Sequence, residues 1–428
     1  MTHLDHAALP RRHFLETVSG AMGAITMPYH IPGTALGKGS VPPSERIALG
    51  GIGLGARGQS ILVGGVFTQP DTQFVAIADP RRVRREAIKR LADEHHGTND
   101  CAMYHDFREL LQRPDIDAVV IATGDRWHTL ASILSAKAGK DIFCEKVCSM
   151  TTAEARALAE VIRRYGAVFQ AGTQRRTIGN FILAAQLAQD GVLGELRELH
   201  ASTYTPAVRH DWLPAEPEPP ADEVDWDMWL GPSPWRPYNS QYVAGVGGWL
   251  IHFDFNAGHL TNWGSHTVDL CQWAAQKDDT GPVEFEPFAT EVHARYADGI
   301  KLIIRDTGWL GLGTCPVRYV GSEGWLETGD SGVMEIYPES LRSHLRIFTT
   351  PGTSPHNHVR EFLDCVKTRG QPSTNADVAC QSHIACHAAQ ISWLLQRPLR
   401  WDPEAEEFPG DDEANGMRAR AYREPWRV

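Results

Sequence analysis

Arg46-Ile47-Ala48-Leu49-Gly50-Gly51-Ile52, followed at once by Gly53-Leu54-Gly55-Ala56-Arg57-Gly58, decides how the chain begins to fold. The first stretch reads as a buried strand, and Gln59-Ser60-Ile61-Leu62-Val63 opens a helix. The glycines at 53, 55 and 58 form a G-x-G-x-x-G pattern at a strand-to-helix turn. Gly53 permits the turn, Gly55 lets backbone approach a pyrophosphate, and Gly58 lets helix and strand pack closely. Phosphates then rest on the N-terminus of the helix. Gly53, Leu54, Gly55, Arg57 and Gly58 are therefore candidate cofactor contacts.

A second strand, Phe74-Val75-Ala76-Ile77-Ala78-Asp79, follows. Asp79 lies about twenty residues beyond the last glycine, where an acid holds the adenosine ribose hydroxyls. This favours NAD. Arg81 and Arg82 come next and one could grip a 2′-phosphate, which keeps NADP as the lesser option. The competing role for Asp79 is to cap a helix that starts at Pro80. Asp117-Ala118-Val119-Val120-Ile121-Ala122-Thr123 is another buried strand, ending in the turn Gly124-Asp125-Arg126-Trp127-His128, and Asp141-Ile142-Phe143-Cys144-Glu145-Lys146-Val147 is a further one. Strands alternating with helices predict an α/β, doubly wound parallel sheet of Rossmann type, whose ligands sit beyond the carboxyl ends of the strands. Asp79, Thr123, Glu145 and Lys146 all fall there. Thr123, Trp127, His128 and Glu145 join the cofactor candidates, with His128 either supporting the cofactor or serving as a satisfied core histidine.

The rest of the chain bounds the answer. Its 428 residues exceed one ordinary core and suggest two domains with a tail. A net charge of −12 argues against nucleic acid, which needs a basic stripe. No apolar run is long enough to span a bilayer. Thirteen tryptophans, several between 212 and 273, fit sugar stacking or plain packing. The eight cysteines show no CxxC; Cys144 with Cys148 and Cys380 with Cys386 read as small buried hydrophobes.

At the N-terminus, Pro10-Arg11-Arg12-His13-Phe14-Leu15 and the small-residue stretch at 17–27 match a twin-arginine export signal, with a cleavage site near Ala35-Leu36-Gly37. Export of the folded protein to the periplasm or beyond by the twin-arginine machinery implies a cofactor inserted beforehand and tightly bound.

Beyond about residue 169 the strand–helix alternation stops. A turn at 172–176, a helix at 180–189, a strand at 194–205, a loop rich in Pro and Trp at 206–239 and hairpins at 289–305 and 317–328 predict a C-terminal α+β domain with a mainly antiparallel sheet. Helices at 355–368 and 376–396 close it. The expected division is 1–43 signal and linker, 44–170 Rossmann domain, and 171–428 substrate and oligomerisation domain.

In this order, Gly53 to Gly58, Ala122-Thr123-Gly124 through His128, Glu145-Lys146-Val147, Asp225-Trp226-Asp227-Met228-Trp229-Leu230-Gly231-Pro232 and Asn262-Trp263-Gly264-Ser265-His266 resemble the motifs of the glucose–fructose oxidoreductase, inositol dehydrogenase and rhizopine-catabolism (Gfo/Idh/MocA) family, in a bacterial exported branch. Three positions depart from the family pattern. Gly124 and Val147 each replace a proline, the second removing a constraint on the lysine's backbone. Asn262 replaces an aspartate.

The resemblance implies that Lys146 reaches a reacting hydroxyl and that His266 shares the proton transfer. Asn262, one helical turn from His266, and Arg176 are candidate substrate contacts. Asp269, three residues beyond His266, is a candidate to orient the ring. It also implies a second domain whose open sheet face meets another subunit, hence a homo-oligomer. His252, Asp254, His259 and His266 match no metal-ligand spacing, so no metal is expected. The expected activity is hydride transfer between NAD(H) and a secondary hydroxyl of a carbohydrate or polyol. A redox-neutral NAD-dependent glycosidase or epimerase is the alternative, and a binding protein that keeps the cofactor for structure comes third.

Overall fold

Strand β1 (Ile47–Ile52) runs through the middle of a six-stranded parallel sheet in the computed structural model, which describes residues 41–427. The export signal and its cleavage site lie outside the described residues. The sheet order is β3-β2-β1-β4-β5-β6, with β2 at Thr72–Ala78, β3 at Ala102–Tyr104, β4 at Ala118–Ile121, β5 at Asp141–Cys144 and β6 at Phe169–Ala171. Helices α1 (Ala56–Gly64), α2 (Arg82–His96), α3 (Asp125–Lys137) and α4 (Thr152–Tyr165) alternate with these strands. Every residue of β4 and β5 is buried, as expected of strands covered on both faces. Chain order reverses between β1 and β4, so a crevice opens beyond their carboxyl ends.

The second sheet has eight strands in the order β13-β12-β11-β7-β10-β9-β8-β14. They are β7 (Leu196–Ser202), β8 (Glu284–Pro287), β9 (Glu291–Arg295), β10 (Lys301–Arg305), β11 (Val317–Gly321), β12 (Trp325–Thr328), β13 (Met334–Tyr337) and β14 (Leu399–Arg400). β7 and β10 run parallel; the other pairings are antiparallel. Alternation along the strands buries Leu199, Ala201, Val292, Ala294, Leu302 and Ile304 on one face. Helices α5 (Gly179–Gln189), α6 (His259–Ala274) and α8 (Ala376–Leu395) pack against this sheet. The opposite face carries Glu198, His200, His293, Lys301 and Arg305, all partly exposed.

The two sheets share one core. Helix α8, buried from Ala379 to Ser392, packs against both α6 and α4. Helix α7 (His356–Thr368) sends Val359, Phe362 and Leu363 into the cluster around Leu49, Ile61 and Phe74 beneath the glycine loop. The last residues return to the first sheet, where Trp426 meets Trp127 edge-on with ring centroids 4.9 Å apart.

Within 206–239 lies a single-turn helix, Trp226–Leu230, whose Trp226 and Trp229 stack 4.8 Å apart inside an apolar cluster with Tyr242 and Phe255. Packing is thus the role of these two tryptophans, while Trp212 and Trp235 remain exposed. All eight cysteines are free and seven are buried.

Candidate active site

The glycine loop is shaped by contact with the neighbouring strand end. Gly53 has φ +68°, and a side chain there would strike Thr123. A side chain at 55 would meet no protein atom within 4 Å, so this backbone faces open space where a ligand can approach. At 58 a side chain would collide with Leu54 and Ala122, the close helix–strand approach that glycine permits. The Leu54 side chain is fully buried beneath the loop and fills core.

Beyond Gly55 lies a cleft of about 420 Å³, lined by Gly53, Gly55, Arg57, Asp79, Thr123 and Trp127 and walled opposite by Trp229, Val243 and Trp249. Asp79 stands at the end of β2 and accepts the backbone N–H of Arg81 at 2.9 Å. The cap position of α2 is Arg81, so Asp79 is free of that role. Arg81 donates to Val243 O, and Arg82 pairs with Asp222 and Glu223. An open glycine backbone, a helix N-terminus and an acid at the second strand end together fit a nicotinamide dinucleotide.

Arg57 leaves the helix to pair with Glu145 at 2.8 Å, tying the glycine loop to the end of β5. Burial opposes the charge of Glu145, yet Arg57 and Lys146 hold its carboxyl below the usual range. Lys146 follows, and its Nζ donates to Asn262 O at 3.0 Å and Asn262 Oδ1 at 3.1 Å. Burial lowers the pKa of Lys146 against the pull of Asp125 and Glu145. His266 lies one turn beyond Asn262 on α6 and is 5 % exposed. Burial, with positive Arg175 and Lys146 near it, holds its imidazole well below the usual range, so it is neutral at pH 7. Its Nδ1 is buried and has no hydrogen-bond partner among the described residues.

Val147 is fully buried, its carbonyl accepts His128 Nδ1–H at 2.7 Å, and the Lys146–Val147 peptide is cis. The residue after the lysine is therefore held by burial and a hydrogen bond where the sequence suggested a lost constraint. His128, 1 % exposed, is a core histidine that supports this peptide and does not line the cleft. Trp127 does line it, donating Nε1–H to Met228 O at 3.0 Å. Gly124 has its own explanation: a Cβ at 124, proline's included, would collide with the Arg126 guanidinium. That group donates twice to Trp229 O and lies 3.7 Å over the Trp229 ring.

Two substrate candidates belong elsewhere. Arg176 makes a bidentate pair with Asp269 and a second pair with Asp278, its side chain only 3 % exposed. Asp269 is thereby committed to Arg176 and to the Ser382 hydroxyl, and does not orient His266. The neighbouring Arg175 is the arginine whose charge reaches both Lys146 and His266. It pairs with Asp330 at 2.6 Å and lies 5.9 Å from the centre of the Trp263 ring. Trp263, which also contacts Tyr204, stands edge-on to His266. Sequence reasoning missed Arg175, Trp263 and Asp125; the signal for Asp125 was its place just beyond the end of β4. Among the described residues no His, Cys, Asp or Glu group is arranged to hold a metal; Asp254 pairs with Arg236, and His259 approaches Thr205 O.

Comparison with known proteins agrees with this architecture. Residues 47–173 match the model of an oxidoreductase family's NAD-binding Rossmann fold, and residues 208–428 match the same family's C-terminal alpha/beta domain. An uncharacterized oxidoreductase of Bacillus subtilis, YrbE, is 29 % identical over 74 % of this chain and 75 % of its own. Myo-inositol 2-dehydrogenase of Thermotoga maritima is 30 % identical over 37 % of this chain, an alignment that spans 46 % of that enzyme. GenD2 of gentamicin A biosynthesis, solved in complex with NAD, superposes with a TM-score of 0.59 at 18 % identity, covering 89 % of this chain and all of GenD2. Glycine loop, strand-end lysine and second sheet thus meet in one assignment: the chain belongs to the Gfo/Idh/MocA family of NAD-binding oxidoreductases.

Proposed function

We propose that the protein transfers a hydride between NAD(H) and a secondary hydroxyl of a sugar or polyol, with Lys146 taking or returning the hydroxyl proton and His266 sharing that transfer. The observation that carries this reading is the lysine itself: just beyond β5, next to the Glu145 that Arg57 of the glycine loop holds, with its pKa lowered by burial. In the neutral form its two N–H groups satisfy Asn262 O and Oδ1, which leaves the lone pair to accept a proton. Neutral His266 can accept or donate without adding charge. Bound nicotinamide would supply the hydride acceptor. Asp79 holds the adenosine ribose, and the pairing of Arg82 with Asp222 and Glu223 supports NAD over NADP. The myo-inositol dehydrogenase relative supports the same class of substrate.

In this reading the cofactor stays tightly bound, because Arg11-Arg12 and the following stretch direct export by the twin-arginine route. The polar, partly exposed face of the second sheet serves a homo-oligomer. The test is a panel of inositols, aldoses and glycosides with added NAD, followed by absorbance and by product analysis. Net reduction by at least one polyol is expected. Product without net reduction would replace this reading by the redox-neutral cycle, and no reaction from a protein that binds dinucleotide would overturn both.

A further inference from the structure

Two buried charges near the candidate site lack an ion-pair partner. Asp125, the first residue of α3, is 2 % exposed, and no cationic nitrogen among the described residues lies within ion-pair distance of it. Its Oδ2 accepts only long hydrogen bonds, from Ala257 N and from Asn262 Nδ2, both at 3.5 Å. Among the described residues Lys146 likewise has no carboxylate in ion-pair range, and it gives its hydrogen bonds to Asn262. One side-chain amide therefore stands between an unpaired anion and an unpaired cation. Chemistry fixes which way that amide faces: a carboxylate only accepts, so it takes the NH₂ end, and an ammonium only donates, so it takes the oxygen.

We propose that Asp125 is a positioning residue for Lys146: through the Asn262 amide its carboxylate turns Oδ1 toward the lysine and adds negative charge to that pocket beside Glu145. The asparagine alone supplies no charge. The carboxylate arrives from a different element, one helix start away from the strand end that carries the lysine. A buried carboxylate without a cation is costly, and its retention here is accounted for by the lysine across the amide. Burial raises the pKa of Asp125, while His128, Lys146 and the Asn262 hydrogen bond draw it down. The other groups that face Lys146 are Glu145 on its own strand, Arg175, Cys315, His266 on α6 and His383 on α8. Arg126 and Arg420 feel Asp125 from the other side.

The inference rests on reading Lys146 as the proton-transfer group, but its test needs neither cofactor nor substrate. The chain has only eight lysines, so ¹³Cε-labelled lysine resolves them by NMR, and Lys146→Met identifies the resonance. The titration midpoint of Lys146 is read in the full-length native protein, in Asp125→Asn, and in Asp125→Asn combined with Asn262→Asp. Loss of the anion should lower the midpoint by on the order of one pH unit, the scale of a nearby opposite charge. The second substitution, which returns a carboxylate to the lysine's side, should restore or exceed the native midpoint. A merely structural aspartate would give no such rescue. An unmoved midpoint in a folded Asp125→Asn protein overturns the proposal. Should that variant not fold, Asp125→Ser, whose hydroxyl keeps an acceptor at the start of the helix, reads the same shift. A shifted midpoint in a protein that oxidises no polyol would leave this pairing standing and defeat the proposed function; the converse result separates them the other way.

Discussion

Asp79 has its carboxyl pushed up to about 6 by burial, although the Arg81 backbone N–H and the charges of Arg81, Arg84 and Arg85 pull downward. The sign matters for cofactor choice. Above about 6 the group is an anion that accepts the ribose hydroxyls and repels a 2′-phosphate; as pH falls through about 6 it gains a proton and both effects fade. Calorimetric titration of NAD and NADP on either side of that pH should show the preference for NAD narrowing on the acid side. In Asp79→Asn the preference should be small, and its residual pH dependence should be that of the 2′-phosphate alone. An equal NAD preference in the variant would remove Asp79 from recognition.

At the scale of elements, the sequence made the glycine loop, β1, β2, β4, β5 and the hairpin at Asp298-Gly299 readable, because periodicity and glycine act locally. What it hid depends on partners distant in the chain. Arg176 and Asp269 are 93 residues apart, and nothing in either neighbourhood marks them as one ion pair joining the turn after β6 to α6. Their pairing is why Arg175, not Arg176, faces the site. Short segments such as β3 and the helix at Trp226–Leu230 carry too few residues for a period to show. Removing one partner of a buried pair leaves the other uncompensated, so Arg176→Met should destabilise the protein by about 3–5 kcal/mol. Denaturant unfolding should report that loss while hydride transfer per folded molecule is preserved. Native stability with a weakened KM would return Arg176 to substrate binding.

Across the whole molecule, the site exists only where two halves meet. Lys146 comes from just beyond a strand of the first sheet and His266 from a helix that packs on the second, while α8 is part of the core the two share. Lys146 and His266 each sit in a sequence motif, so the family resemblance links them directly. Asp125 and Asn262 also fall within motif stretches, but neither stretch marks their contact, which arises only where the start of α3 meets α6, 137 residues along the chain. The most direct measurement is stopped-flow absorbance of the nicotinamide in native protein, Lys146→Met and His266→Ala, with a polyol from the panel. Each substitution should leave the dinucleotide bound and slow hydride transfer by at least about a hundredfold, and the double substitution should lose less than the product of the single losses. Hydride transfer at the native rate in Lys146→Met would contradict the account.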